Sequence, residues 1–308
     1  MKLSVVTTMY YSAPYLDEFY QRIFSTIKKI TDDYEIVFVN DGSPDESLDK
    51  ALMIREKDSN VKIIDLSRNF GHHKAIMTGL SHTAGDYVFL IDCDLEEDPE
   101  LLEDFWRKMN DENDIDVVYG VQKRRKGKIF ERLSGWAFYK IFNLLSDVKI
   151  KKNLLVTRIM KKKYVDALIQ HKEKVMMFVG LCELTGFNQK TITVKKKSKS
   201  TTTYNFLKKI NMAVNALVSL SSKPLYMIFY IGSIMSFFSF FITIFFIFRK
   251  FFYGISISGW TSLIVSLWVI GGATIFSLGI IGIYLSKIFL EVKDRPYVII
   301  KDKYSSNE

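Results

Sequence analysis

The 308-residue chain has only two cysteines, Cys93 and Cys182. So sparse a set excludes a disulfide framework and fits two reduced thiols of a cytosol-facing protein. A secretory leader is missing too. Met1-Lys2 runs straight into LSVVTTM, a short β-type run with neither a long apolar core nor a cleavage site. Residues 1–200 are therefore expected to stay on the side of the membrane where they are made. No nucleic-acid motif accompanies the net charge of +9, so no nucleic acid is expected as a partner. Disorder is excluded by a hydrophobic content of 48%.

Charge itself is missing from two stretches. Residues 225–248 (LYMIFYIGSIMSFFSFFITIFFIF) and 263–286 (LIVSLWVIGGATIFSLGIIGIYLS) contain no charged side chain. At 1.5 Å per residue each makes a helix of about 36 Å, enough for a hydrocarbon core of about 30 Å. A buried pair in a soluble core is the weaker reading, because soluble helices rarely exclude charge for so long. Gly271, Gly272, Gly279 and Gly282 suit close helix packing in lipid and permit a homo-oligomer. Only Arg249 and Lys250 lie in the loop between the runs, whereas lysines crowd 195–223 and 287–303. Basic residues mark the cytoplasmic side, so both termini are expected inside. The clusters Lys161–Lys163 and Lys195–Lys199 suggest anionic headgroups of a lipid bilayer. The expected division is a cytoplasmic domain (1–200), an amphipathic juxtamembrane helix (201–223), two transmembrane helices (224–287) and a cytoplasmic tail (288–308).

The first 150 residues alternate strand and helix patterns. Strands are predicted at 3–9, 35–40, 61–66, 87–92 and 116–120, with helices at 15–30, 45–57, 72–83 and 99–110. This alternation predicts an α/β fold with a mostly parallel sheet and helices on both faces. Ligands of such sheets bind beyond the carboxyl ends of the strands. Three polar segments lie there. Asn40-Asp41-Gly42-Ser43-Pro44-Asp45 is a tight turn whose Asp41 can accept hydrogen bonds from a base or ribose, although alone it fits a plain turn. Ser67-Arg68-Asn69-Phe70-Gly71-His72 joins an arginine to a helix N-terminus, which suits a diphosphate. The adjacent His72 and His73 are not a metal pair on this reading, since sequence neighbours rarely point at one ion. Asp92-Cys93-Asp94 follows the apolar strand VFLI, and period-2 geometry aims both carboxylates to one side. They form a hard oxygen site for Mg²⁺ or Mn²⁺, against the plainer reading of an acidic turn before a helix.

The ordered set VVTTMYYSAPYL, EIVFVNDGSPDES, SRNFGHHKA and IDCDLEEDPE resembles glycosyltransferase family 2, whose GT-A domain binds a nucleotide sugar. With two apolar C-terminal runs and the tail EVKDRPYVII, the chain looks most like the polyisoprenyl-phosphate hexose transferases, such as bactoprenol glucosyltransferases and dolichol-phosphate mannose synthase. The resemblance implies transfer from a UDP- or GDP-linked sugar to a polyprenyl phosphate at the bacterial cytoplasmic membrane. It implies that Asp41 contacts the base and that Thr8 and Tyr10 belong to the first nucleotide-binding loop. Arg68 and Asn69 would lie beside the donor, and Asp92 and Asp94 would hold the metal, Asp94 more directly. Arg158 matches an arginine near the acceptor phosphate, and Lys123, Arg124 and Arg125 would supply charge where many members have arginine and this chain has Gln122. Thr8, Tyr11 and Ser12 depart from the usual Pro-x-x-Asn-Glu loop. Val156 stands where some members carry an aspartate, so no general base is implied there. Residues 129–145 and 204–220 carry apolar and aromatic side chains at helical spacing, as interfacial or core helices do. A processive polysaccharide synthase would need more spans and a Gln-x-x-Arg-Trp motif. A transferase acting on glycerolipids and an inactive nucleotide-sugar-binding scaffold are the remaining alternatives.

Overall fold

The computed structural model describes residues 1–111, 114–122, 140, 144–146, 153–174, 177–197, 214–215, 217–253 and 259–305. Four parallel strands form the centre of a sheet: β1 (Leu3–Met9), β2 (Tyr34–Asn40), β3 (Val61–Leu66) and β4 (Tyr87–Leu90). Between them run α1 (Leu16–Lys28), α2 (Ser47–Lys57) and α3 (His72–Ser81). Then come α4 (Leu101–Asn110), β5 (Val117–Gln122), β6 (Leu154–Lys161), α5 (Lys162–Leu168), α6 (Phe178–Leu184) and β7 (Gln189–Val194). Two long helices, α7 (Lys223–Tyr253) and α8 (Trp260–Val292), precede a last short strand, β8 (Ile300–Tyr304).

The strand order is β7-β5-β6-β4-β1-β2-β3-β8. Strands β6 and β8 run antiparallel to their neighbours, and the rest of the pairings are parallel, as the α/β pattern predicts. Alternate residues serve opposite faces of the sheet. Val5 and Phe38 pack with Phe19, Ile23, Phe89 and Phe105 under α1 and α4. Val6, Val37 and Val39 pack on the other face with Ala75, Ile76 and Leu80 of α3. Gly79 lets α3 approach the sheet closely, since a Cβ there would lie 2.5 Å from Val6 Cγ1.

Strand β4 ends at Leu90 rather than at the predicted Asp92, because its ladder to β6 stops at the Leu90–Arg158 pair. The tail is not free. Its residues 300–304 form the edge strand β8, antiparallel to β3, and Ser67 N–H donates to Ile299 O at 3.0 Å. After α8 the chain thus returns to the sheet of the α/β domain.

Apolar segments of 27 residues, Lys223–Arg249 in α7 and Ser266–Val292 in α8, have the length to cross a bilayer. Their side chains are bare: Phe237 is 60% exposed and Trp268 79%. Among the described residues, a Cβ on Gly271, Gly272, Gly279 or Gly282 would meet nothing within 4 Å. The domain grips the base of α8. Lys174 N–H donates to Glu291 Oε1 and its ammonium pairs with Asp294 Oδ1, both at 2.8 Å. Most of 129–145 and 204–220 lies outside the described residues, as do Lys123, Arg124 and Arg125.

The lysine clusters expected to face lipid are largely engaged inside the domain. Lys162 and Lys163 pair with Asp166 and Asp116, and Lys196 and Lys197 with Glu96 and Asp98.

One buried charge ties the sheet together. Glu35 on β2 accepts from Ser4 Oγ and Ala84 N–H and pairs with Lys62 at 2.8 Å and Lys2 at 3.3 Å. Burial alone would raise its pKa, but the bonds from Ala84, Lys62 and Ser4 outweigh it and hold the carboxyl at about 2. A depressed pKa stabilises the fold above the ordinary glutamate value and less as pH falls towards 2. Glu35→Gln is expected to cost about 3 kcal/mol at pH 7, because it strands two lysines at a buried site. Thermal unfolding of the purified protein across pH 7 to 3 should show the gap to wild type closing as pH falls.

Candidate active site

Strands β2 and β3 lie on one side of β1 and β4 lies on the other, so the sheet reverses its order between β1 and β4. A crevice opens beyond the carboxyl ends of strands at such a reversal. The segments leaving β1 and β4 border it. After β4, burial alternates residue by residue: Ile91, Cys93 and Leu95 are buried, while Asp92 and Asp94 are part-exposed. The period-2 expectation holds past the end of the strand. Leu95 adopts φ 58°, which turns the chain, and Glu96 N–H donates to Asp94 Oδ1 at 2.9 Å.

His72, on the first turn of α3, bridges the two borders. Its Nδ1 lies 3.0 Å from Thr8 Oγ1 and its Nε2 3.5 Å from Asp92 Oδ1. Burial lowers its pKa, against the pull of Asp41 and Asp94, so the ring is neutral at pH 7. His73 turns away and lies against Phe178, with ring centroids 6.5 Å apart. Sequence reasoning weighed His72 only as a metal ligand and missed this bridge. The signal was its place at the start of a helix facing two strand ends.

Asp92 is pushed up to about 7, first by burial and then by the charge of Asp94. Glu97 is buried, accepts from Thr157 Oγ1 of β6 and is likewise raised to about 7, chiefly by burial. Paired carboxylates of this kind gain most from a cation. Their donor set is all oxygen, which fits a hard divalent ion such as Mg²⁺ or Mn²⁺. Among the described residues no group of three or more His, Cys, Asp or Glu is arranged to hold a metal. The fit therefore extends to two carboxylates, with the remaining coordination left to phosphate oxygens and water.

Asp41 is buried, and its two oxygens accept Phe70 N–H at 2.7 Å and Gly71 N–H at 3.0 Å. Burial raises its pKa, against those two bonds and the charges of His72 and Arg68. The carboxylate thus ties the β2–α2 turn to the segment that leads into α3. Around it the loop is close-fitted. Gly42 has φ +60°, and a Cβ there would lie 2.3 Å from the backbone carbon of Arg68. Arg68 is exposed and lies over the Phe70 ring, 4.1 Å from its centroid. Asn69, exposed beside it, offers its carbonyl to Arg68 Nη1 at 3.0 Å. Tyr10 and Tyr11 stand exposed at the first loop in an edge contact, centroids 4.8 Å apart.

Arg158 pairs in register with Leu90, the last residue of β4, and its side chain is buried. It is 2% exposed, donates to Val156 O at 2.9 Å and Leu155 O at 3.2 Å, and lies 4.8 Å from the Phe178 ring. An even-numbered position on β6 faces the α3 side of the sheet, and α6 covers it there.

The model of glycosyl transferase family 2 matches residues 4–174, more than half of the chain. The chain belongs to glycosyl transferase family 2. A family relative from Mycobacterium tuberculosis, named as a glycosyltransferase, is 47% identical over 307 residues, covering all of this chain and 90% of the relative. The prophage-derived bactoprenol glucosyl transferase of Shigella flexneri is 29% identical over 313 residues and the full length of both chains. Among solved structures, the mannosyltransferase PcManGT of Pyrobaculum calidifontis, in complex with GDP-Man and Mn²⁺, superposes with a TM-score of 0.48. Its identity is 16%, over 70% of this chain and 61% of that one. As a family 2 enzyme the protein is a glycosyltransferase with an α/β GT-A-like fold.

Gly42→Ala tests the fitted loop. It is expected to destabilise by about 2 kcal/mol or more, combining left-handed strain with a backbone clash. Gly186, with φ +74° and nothing within 4 Å of an added Cβ, isolates the strain alone. Gly186→Ala should therefore cost less in the same thermal unfolding measurement.

Proposed function

We propose that this enzyme moves a sugar from a UDP- or GDP-linked donor to a polyprenyl phosphate at the cytoplasmic leaflet, inverting the anomeric centre. The single observation that carries the reading is the full-length relationship to a bactoprenol glucosyl transferase, spans included. The carboxylate pair at the sheet reversal supports it, as do two bare apolar helices rooted beside the same domain.

In this reading the nucleotide lies across the ends of β1 and β4, over Thr8, Tyr10 and the loop that Asp41 holds in place. Arg68 and Asn69 border the donor. Asp92 and Asp94 hold Mg²⁺ or Mn²⁺, with Asp94 the more direct ligand. The bound ion supplies Lewis-acid neutralisation of the departing diphosphate. The nucleophile is a phosphate oxygen of the acceptor, largely a dianion at neutral pH because its second pKa lies near 6. Its lone pair forms the new bond to the anomeric carbon as the bond to the diphosphate breaks on the opposite side. No proton moves, so Val156 in place of an acid is no obstacle. Lys123, Arg124 and Arg125 orient the acceptor phosphate. Arg158 contributes from beneath by fixing β6 against α6.

The two helices anchor the enzyme in the bacterial cytoplasmic membrane as a multi-pass protein. Strand β8 follows α8 and pairs with β3, which precedes α7, and this supports a reading with two crossings and both termini on the cytoplasmic side.

Purified enzyme, Mn²⁺ or Mg²⁺, undecaprenyl phosphate and a panel of UDP- and GDP-sugars should yield a hexosyl-phospholipid detectable by mass spectrometry. Asp94→Asn is expected to lower its rate about 100-fold or more. A glycosylated glycerolipid would overturn the acceptor assignment. No product together with no nucleotide binding would overturn the transferase reading. Metal-dependent nucleotide binding should weaken as pH falls below about 7, because the proton on Asp92 then competes with the cation. Calorimetric titration between pH 6 and 8 checks this.

A further inference from the structure

Four carboxylates crowd the loop after β4: Asp92, Asp94, Glu96 and Glu97. Asp98, the next acid, is engaged elsewhere by Arg22 and Lys197, at 2.7 and 2.6 Å. The cation that meets the group comes from a distant part of the chain. Lys196 Nζ lies 3.0 Å from Glu96 Oε2 and 3.7 Å from Glu97 Oε1. Its charge also acts on Asp92 and Asp94. The placement is built: beyond β7 the chain turns back over the carboxylate loop, and Lys197 N–H donates to Glu96 O at 2.8 Å. That backbone bond fixes the stem of Lys196 while leaving its side chain 28% exposed. Burial would lower its pKa, but Glu96 and Glu97 outweigh this and keep the ammonium charged.

A part-exposed ammonium held at 3.0 Å by part-exposed Glu96, and more loosely at 3.7 Å by Glu97, can exchange partners. A diphosphate arriving at Asp92 and Asp94 meets carboxylate repulsion that Lys196 is placed to offset. We propose that Lys196 is a resident cation of the nucleotide site: its ammonium turns from Glu96 to the diphosphate oxygens, so that a nucleoside diphosphate binds before any divalent ion does. This rests on the nucleotide-sugar reading of the same site. Lys196 and the metal then share one task, and loss of the lysine is felt most when the metal is absent.

The test is calorimetric titration of UDP into the full-length protein in detergent, once with EDTA and once with Mn²⁺. Wild type should bind in EDTA. Lys196→Met should weaken that binding about tenfold and the Mn²⁺-supported binding by less than about threefold, as loss of one charge-assisted bond predicts. Lys196→Arg should restore it. Lys197→Met, which removes the neighbour paired with Asp98, should alter neither. Equal loss under both conditions, no loss in EDTA, or wild-type binding only with Mn²⁺ would overturn the proposal. If Lys196→Met does not fold, Glu96→Gln decides, since freeing the ammonium must tighten binding in EDTA, and unchanged or weaker binding overturns the idea. Wild type that binds neither UDP nor GDP under either condition would remove the nucleotide-sugar reading and this proposal together. Normal wild-type binding with an indifferent Lys196→Met would remove only the proposal.

Discussion

Repulsion among carboxylates at the end of β4 is the constraint around which this site is arranged. Asp92 and Glu97 are each buried enough to be raised to about 7, and Asp94 adds to the strain on Asp92. An arrangement of this kind is costly to a fold and is kept where a cation or an anion's counter-charge completes it. The surroundings answer that cost in part: Thr157 donates to Glu97, Lys196 neutralises Glu96, and the neutral His72 ties Asp92 to Thr8. What remains unbalanced faces the crevice, where the proposed function would place a metal and a diphosphate.

The sheet links the candidate site to the two apolar helices. Its reversal between β1 and β4 opens the crevice, and the same sheet accepts β8 at its far edge. The chain leaving α8 is tied to the domain at two places, the β3–β8 ladder and the Lys174 contacts with Glu291 and Asp294. Under the proposed function, that attachment would let the bilayer and the sheet share the positioning of a lipid-borne phosphate.

Much of this was legible in the sequence. Unbroken apolar runs at Val5–Val6 and 36–39 announce strands with two buried faces, and β1 and β3 occupy their predicted bounds. The DxD spacing announces two carboxylates on one side, which the burial pattern bears out. Other features depend on which segments the tertiary fold brings together. Strand β8, IKDKY, has too little apolar content to declare itself, and it exists because β3 offers an open edge. Asp41 looked available for a ligand because nothing local shows that the amides of Phe70 and Gly71 will reach it. Lys196 looked like one of a lipid-facing run, since its carboxylate partners lie about a hundred residues away. Arg158 carries a matching motif, but its depth is set by α6, which arrives later in the chain.

The most direct measurement of the central claim is a structure of the protein with UDP and Mn²⁺, with the ion located by its anomalous signal. The account predicts one Mn²⁺ peak within coordination distance of Asp94, shared with Asp92 and with diphosphate oxygens, at the crevice between β1 and β4. A nucleotide bound away from that crevice, or a Mn²⁺ ion held without either carboxylate, would contradict it.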